Sequence, residues 1–296
     1  MNDTNEDASD EKYVMSGVEA QAERSRLEQL EELHDAATLR RVASIGIPAG
    51  WRCLEIGAGA GSIAHALADL VGSAGSVVAT DLNPRFLDGF SGAGRAVITH
   101  DITTGPVPPG DFDFVHCRAV LTHVEDLAAT IDNILDSVRP GGWVLCEEPD
   151  YGSMEACDPD HPHAPDLAAF HAIMTLSGRT NGSAGRHTFE ALRRTGLMQL
   201  ESDSHGAIAT GGSPLAQFRI KGLENARPMV MESGFFTDDS FNRMISMFND
   251  PTFSYIENTW IATCGCKPEG LDRLSVVPTP SSPTTPPNSS TRGEAL

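Results

Sequence analysis

The sequence predicts an α/β protein in which helices cover a mostly parallel sheet. From Trp51 onward, short apolar runs alternate with helical stretches, which is the pattern of a parallel sheet with crossover helices. The chain has 296 residues and is 40% hydrophobic, which is enough to bury one substantial core with a smaller cap. We therefore expect a single α/β core to which other segments are added.

Composition narrows the classes of partner. The 21 Lys and Arg against 41 Asp and Glu give a net charge of -20, which argues against nucleic acid or an anionic membrane as partner. The six cysteines form no C-x-x-C pair and no zinc spacing, which predicts a reduced, cytoplasmic protein without a bound metal. Residues 2–11 are acidic rather than signal-like, and no apolar run is long enough to span a membrane. A neutral or cationic small molecule is the expected partner.

Local composition and hydrophobic periodicity divide the chain into five segments. Both ends are low in complexity, one acidic and one rich in Pro, Ser and Thr, and neither can form a core. A helical pattern between Ser16 and Ser44 predicts one or two helices ahead of the sheet. The predicted segments are a disordered tail (1–11), N-terminal helices (12–50), an α/β core (51–150), cap insertions with the last two strands (151–268) and a second disordered tail (275–296).

Short apolar runs predict the positions of the strands, and segments with helical periodicity lie between them. The predicted core strands are Arg52 to Ile56, Val77 to Asp81, Ala96 to His100, Phe112 to Cys117 and Trp143 to Glu147. The later half predicts four helices at about 166–177, 188–195, 214–225 and 238–248, and two strands at about 198–210 and 255–264. Because ligands bind at the carboxyl ends of the strands in open α/β sheets, this half is expected to shape a substrate pocket.

A glycine-rich loop follows the first strand. It reads Glu55-x-Gly57-x-Gly59-x-Gly61 and leads directly into a helix, the strand, turn and helix order of a nucleotide-binding loop. Glycine lets the main chain approach a ligand that a Cβ would exclude. Asp81 ends the next strand, where a carboxylate can accept hydrogen bonds from both ribose hydroxyls. The pair predicts a ribose-bearing cofactor but leaves its identity open, because residues 59–64 also fit the G-x-G-x-x-A dinucleotide pattern.

Further motifs give the chain a family resemblance. Glu55 to Gly61, Asp81, His100-Asp101-Ile102, Phe112-Asp113-Phe114-Val115 and Arg139-Pro140-Gly141-Gly142 occur in the order and spacing of class I S-adenosylmethionine-dependent methyltransferases. Over about residues 13–268 the chain resembles that family. It is similar in detail to bacterial small-molecule methyltransferases whose last strand ends in Gly-Arg-Arg-Pro, although Cys266 and Lys267 replace the two arginines here. The resemblance implies a Rossmann-like, mostly parallel seven-stranded sheet with an antiparallel last strand, plus a helical cap and N-terminal lid helices.

The resemblance also implies S-adenosyl-L-methionine as the cofactor and a set of residues that bind it. Asp81 would hold the ribose and Asp101 the adenine amino group, with Ile102 against the adenine ring. The glycines would lie along the methionine and ribose portions, and the segment from Tyr13 to Gln29 would be a lid. The full predicted set is Tyr13, Glu55, Gly57, Gly59, Asp81, Leu82, Asp101, Ile102, Cys117 and Arg118.

Two side chains are candidates for catalysis. His123 follows the fourth strand, and its unperturbed pKa suits a general base, although a histidine there can equally well pack or bond to backbone. Glu148 ends the fifth strand beside Glu147 and can point at the pocket mouth, or be a solvated charge. Arg186 and His205 are candidates for substrate contact from the later half.

The predicted reaction is methyl transfer by in-line displacement to a small-molecule acceptor, with natural-product tailoring suggested by the family. Positioning of the nucleophile should contribute most of the catalysis because the leaving group is neutral, and a general base is optional. Two alternatives stay open: an NAD(P)-dependent oxidoreductase on the same fold, and a non-catalytic S-adenosylmethionine-binding partner of another protein. Whether the chain forms a homodimer is also left open.

Overall fold

The computed structural model describes residues 19–176, 180–232, 234 and 236–270. The two predicted tails lie outside the described residues, and so does Tyr13. The described part of the chain begins with one long helix, continues through the α/β core, and ends with the last strand of the sheet.

Within the part of the chain that the structure describes, ten strands form two sheets. They are β1 (Arg52–Ile56), β2 (Ser76–Asp81), β3 (Arg95–Thr99), β4 (Phe112–Arg118), β5 (Val138–Asp150), β6 (Glu155–Ala156), β7 (Met198–His205), β8 (Ile208–Thr210), β9 (Ser254–Ile256) and β10 (Thr259–Cys266). The large sheet has the order β3-β2-β1-β4-β5-β10-β7, and β10 runs antiparallel to both of its neighbours. This confirms the predicted seven-stranded, mostly parallel sheet with an antiparallel last strand.

Seven α-helices surround the sheets among the described residues. They are α1 (Ala20–Ile45), α2 (Ser62–Val71), α3 (Leu127–Ser137), α4 (Ala164–Leu176), α5 (Ala184–Arg193), α6 (Pro214–Glu232) and α7 (Asp238–Asn249). The expectation of one or two helices before the sheet resolves to one, α1, which ends at Gly46 in the left-handed conformation that glycine favours. Asp126 begins α3 by accepting a hydrogen bond from the N–H of Ala129. None of the described helices is long and apolar enough to cross a membrane.

The later half differs from the sequence prediction in its strands. Residues 198–210 were expected to form one strand, but β7 lies in the large sheet and β8 in a separate sheet of order β6-β9-β8. The second expected strand likewise divides into β9 and β10. The breaks fall side by side, where the N–H of Glu257 donates to the carbonyl of Ala207. The local sequence does not show which sheet a residue joins, so the crossing was not visible in it.

Apolar side chains fill both faces of the large sheet and the space beneath the small one. On one face, Leu67 and Val71 of α2 pack with Val42 of α1, and on the other Ile131 and Ile134 of α3 pack with the sheet. A third cluster joins α4, α6, α7 and the small sheet; it contains Phe236, Phe241, Met244, Met247 and Phe248. These Phe and Met side chains are therefore core packing.

Candidate functional site

A cavity of about 1340 Å³ lies at the carboxyl ends of the parallel strands. Its floor is the loops that follow β1, β2, β3 and β4, and the first turns of α1 form its roof. Of the predicted cofactor residues, Glu55, Gly57, Gly59, Asp81, Leu82, Asp101, Ile102 and Arg118 line it. The fold thus brings together residues from four strand ends that are far apart in sequence.

The backbone of the glycine loop has positive φ angles, which residues other than glycine adopt only with strain. Gly57, Gly59 and Gly61 have φ values of 66°, 57° and 96°. A Cβ on Gly57 would lie 2.4 Å from Cγ2 of Val120, and one on Gly61 would lie 2.9 Å from Leu87. Gly61 is the residue before α2, so the loop turns directly into a helix N-terminus. Such a loop offers backbone N–H groups and an open surface to a ligand.

Asp81 is oriented by backbone hydrogen bonds. Its Oδ2 accepts from the N–H of Gly59 at 3.0 Å, and its Oδ1 accepts from the N–H of Asn83 at 2.9 Å. Burial raises the pKa of this carboxyl, while those N–H groups oppose the shift. Each carboxylate oxygen has a second lone pair for a further donor. The arrangement fits a ribose held beside the glycine loop.

Asp101 and Ile102 form the wall at the end of β3. Asp101 Oδ1 accepts from both the N–H and the hydroxyl of Thr103, at 2.9 and 2.6 Å, so this carboxylate also holds its own turn. Ile102 is buried, and its carbonyl accepts from the side chain of Asn133 in α3. Apolar and acidic groups thus lie next to each other, as an adenine ring with an amino group requires.

The first turns of α1 cover the glycine loop. Leu27 lies against Gly59, and Oε1 of Glu31 accepts from the N–H of Ser62 at 3.1 Å. Arg26 donates to both carboxylate oxygens of Glu23 at 2.9 and 2.7 Å. The helix is fixed on its other side by α6, where Lys221 Nζ contacts the Ser25 hydroxyl at 3.0 Å. This helix therefore covers the cavity, and its role as a lid stays a prediction. Tyr13 lies outside the described residues.

His123 lines the cavity, in the short turn after β4. Burial, followed by the nearby positive charge of Arg26, lowers its pKa from 6.5 to about 4. The imidazole is consequently neutral at physiological pH. A neutral imidazole can orient a donor, but with this pKa it is a weak base for an acceptor hydroxyl.

Glu148 lies behind the cavity wall instead of at its mouth. Its side chain is fully buried, and its oxygens accept from the backbone N–H groups of Val120, Leu121 and Thr122 at 3.0, 2.8 and 3.1 Å. Burial raises its pKa to about 8, against the effect of these N–H groups. The expected catalytic contact is therefore not supported by the geometry. Glu148 holds the turn that carries His123.

The chain matches a family model for a methyltransferase domain over residues 22–190, which is more than half of its length. The chain belongs to the class I S-adenosylmethionine-dependent methyltransferases. Its cofactor is S-adenosyl-L-methionine, so the nicotinamide alternative raised by the G-x-G-x-x-A pattern is not supported.

Relatives of this methyltransferase share parts of its length. It is 32% identical over 111 residues to methyltransferase str3 of Strobilurus tenacellus, covering 38% of this chain and 40% of that protein. It is 32% identical over 128 residues to a ubiquinone biosynthesis O-methyltransferase of Thiobacillus denitrificans, covering 40% and 53%. The matches thus span about half or less of these curated relatives.

Solved structures with the same fold cover more of the methyltransferase. YcgJ of Bacillus subtilis superposes with a TM-score of 0.52 at 16% identity, covering 80% of this chain and 100% of that one. BH2331 of Bacillus halodurans C-125 gives a TM-score of 0.52 at 15% identity, covering 78% and 99%. At these identities the likeness concerns the fold.

Two predicted cofactor neighbours at the end of β4 differ in position. Arg118 lines the cavity and donates from Nη1 to the hydroxyl of Thr38 at 3.0 Å and from Nη2 to Asp35 at 2.8 Å. Cys117 does not line it; its side chain is fully buried in the apolar cluster on the other face of the sheet. Successive strand residues face opposite sides, so only one of this pair can reach the cavity.

Arg186 and His205, the two candidates for substrate contact from the later half of the chain, contact other side chains outside the cavity. Arg186 makes a two-pronged ion pair with Asp150, with both donor distances at 2.6 Å. The ring nitrogens of His205 and His34 lie 3.2 Å apart beside Trp260. None of these side chains lines the cavity. Both are contacts that fix the helices of the methyltransferase to its sheet.

A buried polar cluster under the cavity was not predicted from the sequence. His116 of β4 lies between Glu55 of β1 and Glu147 of β5, and its exposed fraction is 0%. The signal was present, because three strands predicted to be buried each contain an ionisable residue. Only the strand order brings the three side chains into contact.

Proposed function

We propose that this methyltransferase transfers the methyl group of S-adenosyl-L-methionine to a small molecule bound in the same cavity. The observation that carries the proposal is the cavity itself. It has a volume of about 1340 Å³, whereas a pocket for one drug-sized ligand occupies ~300–1,000 Å³. The roof formed by α1 leaves room for a cofactor and a small acceptor, and disfavours a macromolecular one.

The cofactor would lie along the floor of the cavity. In this proposal Asp81 accepts from the ribose hydroxyls, and Asp101 with Ile102 binds the adenine. Gly57 and Gly59 leave space along the methionine and ribose portions. Arg118 borders the methionine end. These roles are proposals for the residues whose positions are described above.

The charge around the cavity favours a neutral or cationic acceptor. Acidic groups outnumber basic ones: Glu23, Glu31, Glu55, Asp81, Asp101, Glu125 and Asp126 line it, against Arg26, Arg85 and Arg118. An anionic acceptor would meet net repulsion inside a site partly screened from water. The acidic lining also suits the positive charge of a sulfonium.

The acceptor would enter beside the turn after β4. Thr122, His123, Asn181 and His187 line this side of the cavity. When bound, S-adenosyl-L-methionine supplies a methyl group activated by a positively charged sulfur. The chain contributes mainly by holding the nucleophile in line, ~3–3.5 Å from that methyl group. The neutral ring of His123 would orient the acceptor through a hydrogen bond.

The name of one relative supports a small acceptor, because it is a ubiquinone biosynthesis O-methyltransferase. Natural-product tailoring stays a prediction of the family resemblance.

Calorimetry and a turnover assay test the proposal together. We expect S-adenosylmethionine and S-adenosylhomocysteine to bind the purified protein, and NADH not to bind. Incubation with a panel of phenols, alcohols and amines should form S-adenosylhomocysteine with at least one class, and a methylated product visible by mass spectrometry. Binding without turnover on any class would favour the non-catalytic alternative. Absence of binding would contradict the cofactor assignment.

A further inference from the structure

The buried His116 contacts a carboxylate with each of its ring nitrogens. Nδ1 lies 3.0 and 2.8 Å from the two oxygens of Glu55, and Nε2 lies 3.1 Å from Oε2 of Glu147. The two acids come from the strands on either side of β4. No sequence motif used for the proposed function includes this histidine.

With both carboxyl groups ionised, both contacts can be hydrogen bonds only if the ring carries two protons. A neutral imidazole has one N–H, so its other nitrogen would turn a lone pair toward a carboxylate oxygen. A buried carboxylate that loses its donor is strongly destabilising, because its charge is left without a partner away from water. Burial alone would lower the pKa of His116, but Glu55 and Glu147 raise it to about 10.

The same cluster extends to the roof of the cavity. Glu147 accepts from the hydroxyl of Thr38 and, through Oε1, from Arg41 at 2.9 Å. Both donors belong to α1. Burial would raise the pKa of Glu147, but His116 and Thr38 lower it to about 2, so this acid stays ionised. Glu147 therefore contacts His116 and also fixes α1 against the sheet.

The other end of the cluster reaches the cavity floor. Glu55 lines the cavity just before the glycine loop, and only about 4% of it is exposed. Its carboxylate is directed at His116. A single ring thus lies between the acid next to the predicted cofactor site and the acid that anchors the lid helix.

We propose that His116 is a positioning residue, a buried imidazolium that fixes Glu55 at the cavity floor and, through Glu147, holds α1 as the roof. The inference rests on the proposed function in one respect, that the cofactor binds in this cavity. Loss of the ring would leave two buried carboxylates facing each other, so Glu55 would turn or become protonated and α1 would loosen. Cofactor affinity should then fall, while the chemical step at saturating cofactor should change little.

Nuclear magnetic resonance of the unmodified protein tests the charge. With histidine ring nitrogens labelled with ¹⁵N, His116 should show two protonated nitrogens at pH 7 and keep them at pH 8. The charged groups that contact it are Glu55 from β1 and Glu147 from β5. Arg41 of α1 contacts Glu147, and Arg118 of β4 donates to Thr38, which in turn donates to Glu147. His116→Gln identifies the signal by its absence. A ring with one protonated nitrogen at pH 7 would overturn the proposal.

Variants test the positioning. His116→Phe removes both donors and keeps an aromatic ring, and Phe114→Leu on the same face of β4 is the matched control for lost packing. We expect His116→Phe to weaken S-adenosylhomocysteine binding at least tenfold and to raise KM for the cofactor with kcat within about threefold. Phe114→Leu should bind within about threefold of the unmodified protein.

Folding is monitored by thermal unfolding of both variants. Equal binding by the two variants would refute the positioning role, even if both lose stability. If His116→Phe does not fold, His116→Gln, which keeps one donor, provides the binding comparison. Failure of the unmodified protein to bind S-adenosylhomocysteine would instead contradict the proposed function. The number of protons on the His116 ring would still be decided independently by nuclear magnetic resonance.

Discussion

Replacing Asp81 by alanine should weaken cofactor binding strongly. The carboxylate lies at the end of β2 with its oxygens oriented by the N–H groups of Gly59 and Asn83, at 3.0 and 2.9 Å. In the proposed site the second lone pair on each oxygen accepts from a ribose hydroxyl. Asp81→Ala removes both acceptors and leaves the glycine loop without one of its contacts.

The magnitude follows from the number of hydrogen bonds lost. A hydrogen bond to a charged group contributes ~1.5–3 kcal/mol net. Loss of one such bond corresponds to roughly tenfold in Kd, and loss of two to roughly 100-fold or more. Two backbone N–H groups also lose their acceptor, which lowers the free energy of unfolding by ~1–2 kcal/mol because water can reach the loop. The protein should therefore still fold.

Calorimetric titration with S-adenosylhomocysteine measures the effect, and circular dichroism verifies the fold. Asp88→Asn is the matched control, because Asp88 lies in the same loop region but is exposed and outside the cavity lining. We expect at least a tenfold weaker Kd for Asp81→Ala and an unchanged Kd for the control. An unchanged affinity in Asp81→Ala would refute the ribose assignment.

Three further outcomes are expected. The folded pKa of His116 is raised from 6.5 to about 10, so the stability that its positive charge contributes is complete below pH 6.5 and is lost as the pH rises toward 10. The free energy of unfolding should fall by up to ~1.4 kcal/mol per pH unit over this range. Urea unfolding that gives the same free energy at every pH in this range would contradict a positively charged His116. Gly57→Ala should weaken cofactor binding at least tenfold in calorimetry, because its Cβ would lie 2.4 Å from Val120 at a φ of 66°, and adding Val120→Ala should restore part of it. With its pKa at about 4, His123 should give kcat/KM no inflection between pH ~5.5 and ~7.5; an inflection near ~6.5 that disappears in His123→Gln would identify a general base instead.

Local patterns predicted much of the fold. The strand from Arg52 to Ile56 was predicted with the bounds that the structure gives, and β2, β3 and β4 within one residue at each end. These strands are short, apolar and bounded by turn residues, so their positions depend on nearby sequence. The fifth strand was predicted too short, because β5 includes Arg139-Pro140-Gly141-Gly142, a stretch that resembles a turn. Backbone hydrogen bonds between Lys267 and the two glycines extend the strand at its start, and Thr259 to Ile261 of β10 pair with Glu148 to Asp150 at its end. These partners are more than 100 residues away in the chain.

Contacts between distant segments were the part that local patterns missed. The division of residues 198–210 between two sheets depends on where β9 and β10 lie. Glu148 was expected at the pocket mouth, but the turn after β4 covers it and binds its carboxylate. The same holds for Arg186, whose ion pair with Asp150 joins residues 36 apart in the chain.

The sequence by itself determined the glycine loop, the acid that ends the second strand and the positions of the core strands along the chain, because these features depend on backbone conformation and on residues close together. Only the tertiary structure decided which side chains share a surface. Strand order brought Glu55, His116 and Glu147 into one buried cluster, and the packing of α1 closed the cavity above them. The physical reason is that a buried charge is stable only beside its partner, and the partner is chosen by the fold, which adjacent residues do not encode.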